Sequence, residues 1–430
     1  MLHHGDQPGA RQQVFDVLKA RGFVQQVTDE AAVRKMLEQP TTLYIGYDPT
    51  APSLHVGNLF TLMGARHLQQ HGHKVIVVLG GGTAMVGDPS GKTELRPMLS
   101  AAQIAAHIQG IRAQIERFLD PQTTVFVNNA DWLMGLHYVD FLRDIGRHFS
   151  VNRMLSAESS KQRLQRGLSF IEFNYQILQA YDYLELCRRY GCTLQMGGDD
   201  QWGNILAGVD LCRRVAQREV AGLTLPLLLL ATGQKMGKTA TGAVWLDATM
   251  VSPYDYYQYW VNVHDEDVAR LLAFFTFLPM VDIAAVQQLP GGPALNLAKS
   301  VLAYEATALL HGEEAAREAH LAALGAFGGR SIPPEFLPSS AVPRQVEGHV
   351  EEVPTTQVAL GQGLLLADLL VQGGLAESKK QARRLIEQGA VRLNDAAPTT
   401  DPQAIVLATD FVEGALLLRA GKKKVHRFTA

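Results

Sequence analysis

Two short loops combine glycine with imidazole or ammonium side chains, which are residue types that bind phosphate groups. The first, LYIGYDPTAPSLHVGN, occupies 43–58 and runs from a predicted strand into a helix that we expect to begin near Ser53 or Leu54. His55 would then lie in the first helical turn, where unpaired backbone N–H groups and the positive end of the helix dipole favour an anion. Capping of the helix by His55 and Asn58 explains the same residues equally well.

The second loop, QKMGKTATG at 234–242, places Lys235 and Lys238 on either side of Gly237. Two mobile cations on a flexible segment suit a polyphosphate whose charge shifts during a reaction. A solvated surface loop is the alternative. Neither this loop nor GKT at 91–93 has the earlier glycine that a P-loop requires, and GGGTAM lacks the third glycine of a dinucleotide-binding fingerprint.

Polar side chains also fall on one face of a predicted helix and at the end of a predicted strand. In SFIEFNYQILQAYDYLELC, 169–187, the residues Tyr175, Gln179 and Asp182 have the spacing that places them on one helical face. Such a stripe is usually exposed to solvent, but this one lacks Lys and Arg, and its hydrogen-bonding groups suit a small polar ligand. In LQMGGDDQWGN, 194–204, two Asp and one Gln follow strand glycines, where a tight turn is the alternative.

The elements that must position these residues follow a regular order. From about 41 to 250, short apolar runs such as TLYIGY and KVIVVLGG alternate with longer helical patterns. This alternation predicts an α/β fold with a doubly wound, Rossmann-like parallel sheet that binds ligands beyond the carboxyl ends of its strands. We predict the doubly wound domain at 1–250, an α-helical domain at 251–330, a Pro-rich linker at 331–360 and a small α+β domain at 361–430.

Composition excludes several classes of protein. The 430 residues include 39 Lys plus Arg, 42 Asp plus Glu and 47% hydrophobic residues, which is incompatible with a disordered chain or a coiled coil. Residues 361–430 carry 10 Lys plus Arg against 7 Asp plus Glu, so the basic excess lies at the C-terminus although the whole chain has a net charge of -3. That asymmetry favours a polyanionic partner for the last segment.

Cysteine usage and hydropathy indicate a cytoplasmic protein. The three cysteines, Cys187, Cys192 and Cys212, are too few for a disulfide framework or a tetrahedral zinc site, and we predict that they are core thiols. The N-terminus lacks the pattern of a signal peptide, and the most apolar run contains Pro226 and is too short to span a bilayer. We therefore expect no membrane association.

Taken in order, HVGN, GDPSGK, the Tyr-Gln-Asp helix, GGDDQWGN and KMGKT resemble the motifs of the bacterial-type tyrosyl-tRNA synthetases of class I. The resemblance extends from about residue 10 to residue 430. HVGN is similar to the class signature HIGH with Asn58 as its last residue, and KMGKT is similar to KMSKS with Gly237 and Thr239 in place of two serines. The resemblance implies a tyrosine–tRNA ligase that forms tyrosyl-adenylate and pyrophosphate from L-tyrosine and ATP and then transfers tyrosine to the 3'-terminal adenosine of tRNA(Tyr).

The resemblance also implies residue roles. Tyr44 and Asp182 would hydrogen-bond the substrate's phenolic OH, and Asn129 and Trp132 would lie near that pocket. The tyrosine-binding residues would be Tyr44, Asp88, Tyr175, Gln179, Asp182 and Gln201. The ATP-binding residues would be Asp48, Thr50, His55, Gly57, Asn58, Asp200, Lys235 and Lys238. The catalytic residues, which would stabilise the reacting phosphates, would be His55, Asn58, Lys92, Arg96, Lys235, Lys238 and Thr239.

The same resemblance implies partners and a cofactor. The domain at 1–250 would be catalytic and the domain at 361–430 would bind tRNA through Lys379, Lys380, Arg383 and Arg384, with Lys422, Lys423 and Lys424 nearby. The chain would form a homodimer with subunit contacts at 141–155. Mg²⁺ would enter with the phosphates of ATP, without a dedicated protein metal site.

Two other functions would share part of this pattern. A tryptophan-specific relative would have the same nucleotide loops, but it would have no use for a carboxylate at Asp182. A noncatalytic RNA-binding protein derived from such an enzyme would keep the C-terminal domain and lose the nucleotide loops, which are intact here.

Overall fold

The chain folds into two compact units, Met1–Gly312 and Glu313–Ala430. The computed structural model describes residues 13–90, 99–156, 161, 164, 167–233, 236–239, 242–289, 291–327, 332–344, 355–358, 363–394, 398–412, 414–421 and 424–429. The helices that follow Pro253 belong to the first unit as far as Gly312. The finer division at 250, 330 and 360 stays a prediction. Within the described residues, no helix is both long enough and apolar enough to cross a membrane.

A mixed sheet forms the centre of the first unit. Its strands are β1 (Gln26–Val27), β2 (Thr42–Tyr47), β3 (Lys74–Leu79), β4 (Thr124–Asn128), β5 (Leu194–Gly198) and β6 (Ala221–Leu225). Among the described residues the strand order is β1-β6-β5-β2-β3-β4, and every pairing is parallel except that of β1 with β6. The chain adds strands on one side of β2 and then on the other, so the topological switch point lies between β2 and β5. The predicted α/β fold with a parallel sheet is confirmed.

The helices of the first unit begin, in several cases, at capping residues. Ser169 caps the longest one together with Glu172, and Gly191 ends it in the left-handed conformation. These helices are α1 (Val14–Arg21), α2 (Glu30–Met36), α3 (Val56–Gln70), α4 (Ala101–Phe118), α5 (Ala130–Leu133), α6 (Tyr138–Asp144), α7 (Val151–Ser156), α8 (Phe170–Tyr190), α9 (Trp202–Leu211), α10 (Pro253–Val261), α11 (Val268–Phe275), α12 (Met280–Val286) and α13 (Pro293–His311). A short antiparallel pair, β7 (Lys238–Thr239) and β8 (Gly242–Ala243), completes the unit.

The second unit contains a helix followed by a small α+β fold. Its elements are α14 (Glu313–Phe327), β9 (Thr355–Gln357), β10 (Leu364–Leu365), α15 (Leu366–Gln372), α16 (Lys379–Glu387), β11 (Val391–Leu393), β12 (Ile405–Val406), β13 (Ala415–Ala420) and β14 (Lys424–Thr429). Within the described residues, β11, β13, β14 and β9 form a sheet in that order. Apolar residues of α15, α16 and the sheet, including Leu370, Ile386, Leu418 and Phe428, form one core.

Part of the predicted linker is a folded loop. In 332–344 the guanidinium of Arg344 donates hydrogen bonds to the carbonyl oxygens of Pro333, Leu337 and Ser340 at 3.0, 2.8 and 3.1 Å. Proline has no N–H, so a Pro-rich loop offers few backbone donors of its own. Arg344 supplies donors that the local backbone lacks.

Candidate active site

The carboxylate of Asp48 lies at the switch point, directly after β2. It accepts a hydrogen bond from Thr83 Oγ1 at 2.7 Å and another from Tyr175 Oη at 2.9 Å. Gly80 makes this arrangement possible, because a Cβ there would collide with Asp48 Oδ1 and with Thr83 Oγ1. Tyr175 belongs to α8, so this carboxylate joins the turn after β3 to the long helix.

A second carboxyl group, that of Asp182, lies seven residues after Tyr175 on α8. It is buried, with 3% of its surface exposed. Its oxygens accept hydrogen bonds from Asn129 Nδ2 at 3.0 Å and from Trp132 Nε1 at 2.7 Å. Burial raises the pKa of Asp182 to about 7, although both hydrogen bonds act to lower it. Tyr175 and Asp182 are both buried, so the alternative of a solvent-exposed polar stripe is wrong for these two residues.

The hydroxyl group of Tyr44 lies in the same part of the unit. Its ring packs edge-on against Tyr183 with 5.1 Å between ring centroids. Burial, followed by the charge of Asp182, raises the pKa of Tyr44 well above its ordinary value, so the phenol is neutral. Among the described residues, Tyr44 Oη is buried without a hydrogen-bond partner. A buried polar atom of this kind needs a partner, and a ligand can supply it.

Gln195 is a candidate site residue that was not predicted from the sequence. It lies on β5 opposite Tyr44 on β2 and is buried, and its Oε1 has no hydrogen-bond partner in the described part of the chain. The available signal was a Gln inside the apolar strand LQMGG. Such a residue needs a polar neighbour in a buried position.

A third group of polar side chains surrounds Asp88. Gln201 Nε2 donates to Asp88 Oδ2 at 2.8 Å, and Asn204 Nδ2 donates to the side-chain oxygens of Gln179 and Gln201 at 3.0 and 3.1 Å. Burial, and then the nearby charge of Asp48, raise the pKa of Asp88. Asn204 was not among the predicted site residues. It orients the side-chain amides of Gln179 and Gln201, which were predicted site residues.

The first phosphate-binding candidate differs from its prediction in one respect. Helix α3 begins at Val56 and not at Ser53 or Leu54, so His55 is the N-cap and does not lie within the first turn. The amide N–H of Gly57 donates to His55 Nδ1 at 3.0 Å, and the N–H of His55 donates to Asn58 Oδ1 at 3.1 Å. Capping therefore does account for part of this motif, because the imidazole can accept a hydrogen bond in a capping geometry.

The two glycine-containing loops lie side by side. Gly237 has a φ of 84°, and a Cβ there would lie only 3.3 Å from the backbone nitrogen of Gly57. Val244 joins the loops, because its N–H donates to Gly237 O at 2.9 Å and its carbonyl accepts from Val56 N at 3.0 Å. The fold thus brings together HVGN and KMGKT, which are about 180 residues apart in the chain.

Other predicted residues are exposed or lie outside the described residues. Thr50 and Asp200 are exposed. Asp199, the other carboxylate of the pair, accepts hydrogen bonds from Gln26 Nε2 at 2.7 Å and Thr224 Oγ1 at 3.0 Å, which connects β1 and β6. Lys92, Arg96, Lys235, Lys422 and Lys423 lie outside the described residues, and only the backbone is described for Lys238, Thr239 and Lys424.

Comparison with known proteins identifies the family. Residues 35–328 match the model of the class I tRNA synthetases for W and Y, and residues 345–427 match the C-terminal domain of tyrosine–tRNA ligases. The tyrosine–tRNA ligase of Desulfosudis oleivorans is 53% identical over 425 residues, covering 96% of this chain and 98% of that protein. The chain belongs to the tyrosine–tRNA ligase family. The ligase of Syntrophus aciditrophicus is 51% identical over 417 residues, covering 96% and 97%.

A solved structure agrees with this membership. The crystal structure of a C-terminally truncated mitochondrial tyrosyl-tRNA synthetase from Aspergillus nidulans superposes with a TM-score of 0.65 at 31% identity, covering 73% of this chain and 94% of that one. The family resemblance inferred from the motifs is confirmed, and the chain is an aminoacyl-tRNA ligase of a family that uses ATP. The relatives favour neither the tryptophan-specific alternative nor the noncatalytic one.

The buried carboxyl group of Asp182 gives an expected pH dependence of stability for this synthetase. Its pKa of about 7 lies above the ordinary value of 3.8, so the folded chain binds this proton more tightly than the unfolded chain does. The contribution of Asp182 to the free energy of unfolding should be fully present below about pH 4, fall as the pH rises to about 7 and then level off. Urea unfolding of the wild type and of Asp182→Asn across this range measures it. Parallel pH profiles of the two proteins would contradict the expectation.

Proposed function

We propose that the chain activates L-tyrosine with ATP, releasing pyrophosphate, and then transfers the tyrosyl group to the 3'-terminal adenosine of tRNA(Tyr). The observation that carries this substrate choice is the buried carboxylate of Asp182 close to the unpaired hydroxyl of Tyr44. A substrate phenol can donate to the carboxylate and accept from the tyrosine hydroxyl. A benzyl side chain would leave both groups buried without that partner, at a cost of roughly 1–3 kcal/mol for each.

The other end of the tyrosine substrate carries an ammonium group, which needs oxygen acceptors. Asp88, Tyr175 and the side-chain oxygens of Gln179 and Gln201 form a linked polar cluster around Asp88 and Asp48. Burial disfavours the charge on Asp88, and a bound cation would offset this effect. We assign the substrate's ammonium group to this cluster.

ATP would bind beside the two glycine-containing loops. The substrate carboxylate is already ionised at neutral pH, so its attack on the α-phosphate needs no protein nucleophile or base. The chain must instead position two anions and stabilise the charge that builds on the phosphate oxygens. We assign the stabilisation of this charge to His55 and Asn58. The leaving pyrophosphate would be contacted by Lys92, Arg96, Lys235, Lys238 and Thr239. Asp48, Thr50, Gly57 and Asp200 would contact the nucleotide.

Mg²⁺ fits this site as a companion of ATP. Asp48 and Asp88 each accept hydrogen bonds from neighbouring residues. Carboxylates engaged in this way suit a cation that is held mainly by phosphate oxygens and water. When bound, Mg²⁺ would neutralise part of the charge of the phosphates.

We also assign the homodimer contact to the surface around α6 and α7. Large apolar side chains are exposed there, including Val139 on α6 at 74% and Phe170 at the start of α8 at 71%. Exposed apolar groups concentrated in one stretch of sequence are typical of an interface that a second subunit covers. The predicted contact segment 141–155 lies within this stretch.

The tRNA-binding surface that we propose is one face of α16. Lys379, Lys380, Arg383 and Arg384 are all exposed, while Ala382 and Ile386 of the same helix are buried in the core of the second unit. Lys379 forms an exposed ion pair with Asp368 at 2.9 Å. A phosphate backbone would compete well with such a pair, because exposed ion pairs contribute little to stability. We also propose that the chain acts in the cytoplasm, where protein synthesis uses this tRNA.

Replacing Tyr44 with phenylalanine tests the unpaired hydroxyl. KM for tyrosine should rise about tenfold, because the substrate phenol loses one hydrogen bond of roughly 1–1.5 kcal/mol. The free energy of unfolding should stay the same or rise, since the variant no longer buries an unpaired hydroxyl. Tyrosine-dependent pyrophosphate exchange and urea unfolding measure the two quantities.

Tyr183→Phe is the matched control for this substitution. Tyr183 is equally buried, but its hydroxyl donates to the carbonyl of Ala221 at 2.7 Å. The control should therefore lose stability and keep its KM. A Tyr44→Phe protein with wild-type KM and reduced stability would contradict the assignment.

A further inference from the structure

We propose that Thr83 is a positioning residue that couples the two ends of the tyrosine pocket. The hydroxyl of Thr83 would hold Asp182 at the phenol end and Asp48 at the opposite end in a fixed relation to each other. This inference rests on the function proposed above for the two carboxylates.

The contacts form one continuous chain. Thr83 Oγ1 donates to Asp48 Oδ1 at 2.7 Å and accepts from Asn129 Nδ2 at 2.9 Å. The same amide nitrogen of Asn129 donates to Asp182 Oδ2 at 3.0 Å. Thr83, Asn129 and Asp182 are all buried. Three short hydrogen bonds thus connect the two carboxyl groups through the buried side chains of Thr83 and Asn129.

The direction of each hydrogen bond is fixed by the groups around it. Asn129 Oδ1 accepts from the backbone N–H of Gly82 at 2.8 Å, so its amide nitrogen must face Thr83 and Asp182. The amide nitrogen of Asn129 can only donate, so the Thr83 hydroxyl accepts from it and directs its own proton to Asp48. A hydroxyl can do both at one atom. An apolar group of the same size can do neither.

Loss of this hydroxyl would therefore affect both ends of the pocket. Asp48 would lose a donor, and the Asn129 amide would lose the acceptor that helps to hold it against Asp182. Interactions within one hydrogen-bond network are generally not additive, so disruption at one member removes part of what the others contribute. The tyrosine-to-phenylalanine preference should fall in a Thr83 variant even though Thr83 is not proposed to touch the phenol.

A double-mutant cycle in the full-length chain tests this coupling. Thr83→Val should lower kcat/KM for tyrosine-dependent exchange by about tenfold to thirtyfold and reduce the tyrosine-to-phenylalanine ratio. Asn129→Ala should do the same, and the double variant should be little worse than either single variant. Thr83→Ser, which keeps the hydroxyl, should restore both quantities. If Thr83→Val fails to fold, Thr83→Ala replaces it in the cycle.

Thr307→Val is the matched control. Thr307 is fully buried in α13, and its hydroxyl has no hydrogen-bond partner among the described residues, so this variant should keep wild-type kinetics. The inference would be overturned if the losses of kcat/KM in the two single variants multiplied in the double variant. An unchanged tyrosine-to-phenylalanine ratio in Thr83→Val would also overturn it. A wild-type chain without tyrosine-dependent exchange would instead overturn the proposed function itself.

Discussion

Replacing Asp182 with alanine should abolish tyrosine-dependent exchange of pyrophosphate into ATP, with kcat/KM at least about 1,000-fold below wild type. The substitution removes the acceptor for the substrate phenol and also leaves Asn129 Nδ2 and Trp132 Nε1 without the oxygens that they contact at 3.0 and 2.7 Å. The unpaired substrate phenol costs roughly 1–3 kcal/mol, and the misplacement of a substrate that Asn129 and Trp132 no longer help to position adds a further loss of about 100-fold. The exchange assay reports adenylate formation without tRNA, so it measures this pocket directly.

Glu185 provides the matched control on the same helix. It is also a buried carboxyl residue of α8, but its ion-pair partners are the surface residues Arg188 and Arg189, at 3.6 and 2.6 Å. Glu185→Gln should therefore retain exchange. Near-wild-type exchange in Asp182→Ala would show that the pocket has been assigned to the wrong residues.

Replacing the four cations of α16 with glutamine should separate the two reactions of the enzyme. The variant carries Lys379→Gln, Lys380→Gln, Arg383→Gln and Arg384→Gln together. Its pyrophosphate exchange should be unchanged, whereas kcat/KM for tyrosylation of tRNA should fall at least about 100-fold near 0.15 M salt. With each phosphate contact that is lost, fewer counterions are released when the tRNA binds. The dependence of tRNA affinity on salt should therefore become shallower by roughly one unit of slope for each contact.

Three further variants make this second prediction specific. Lys19→Gln and Arg112→Gln remove exposed cations from the first unit and should leave tyrosylation intact. Deletion of residues 355–430 should act like the α16 variant, sparing exchange and abolishing tyrosylation. Loss of both activities on deletion would mean that the C-terminal segment supports the structure of the enzyme and is not a separate tRNA-binding module.

Patterns within single elements were predictable from the sequence. Alternating strands and helices indicated the parallel sheet, and helical spacing placed Tyr175 and Asp182 on one face of α8. Cys192 and Cys212 are buried as predicted, while Cys187 is only partly buried. These results depend on hydrophobic period and local spacing, which a sequence displays directly.

Contacts between distant elements could not be predicted in this way. Thr83 and Asn129 are separated by 46 residues, and Asn129 and Asp182 by 53, yet they form one hydrogen-bond chain. Periodicity shows which face of an element is polar but not which other element meets it. Gln195 and Thr83 were missed for this reason. The start of α3 was predicted two or three residues too early, because an imidazole is an unusual N-cap and a sequence shows helix boundaries poorly.

The most direct test of the central claim is amino-acid-dependent ATP–pyrophosphate exchange by the wild-type chain, with tyrosine, tryptophan and phenylalanine assayed in parallel. The buried pair of Asp182 and Tyr44 predicts exchange with tyrosine and at least about 1,000-fold lower kcat/KM with the other two, since neither carries a phenolic hydroxyl to pair with these groups. Exchange that depends on tryptophan, or no exchange with any of the three, would contradict it.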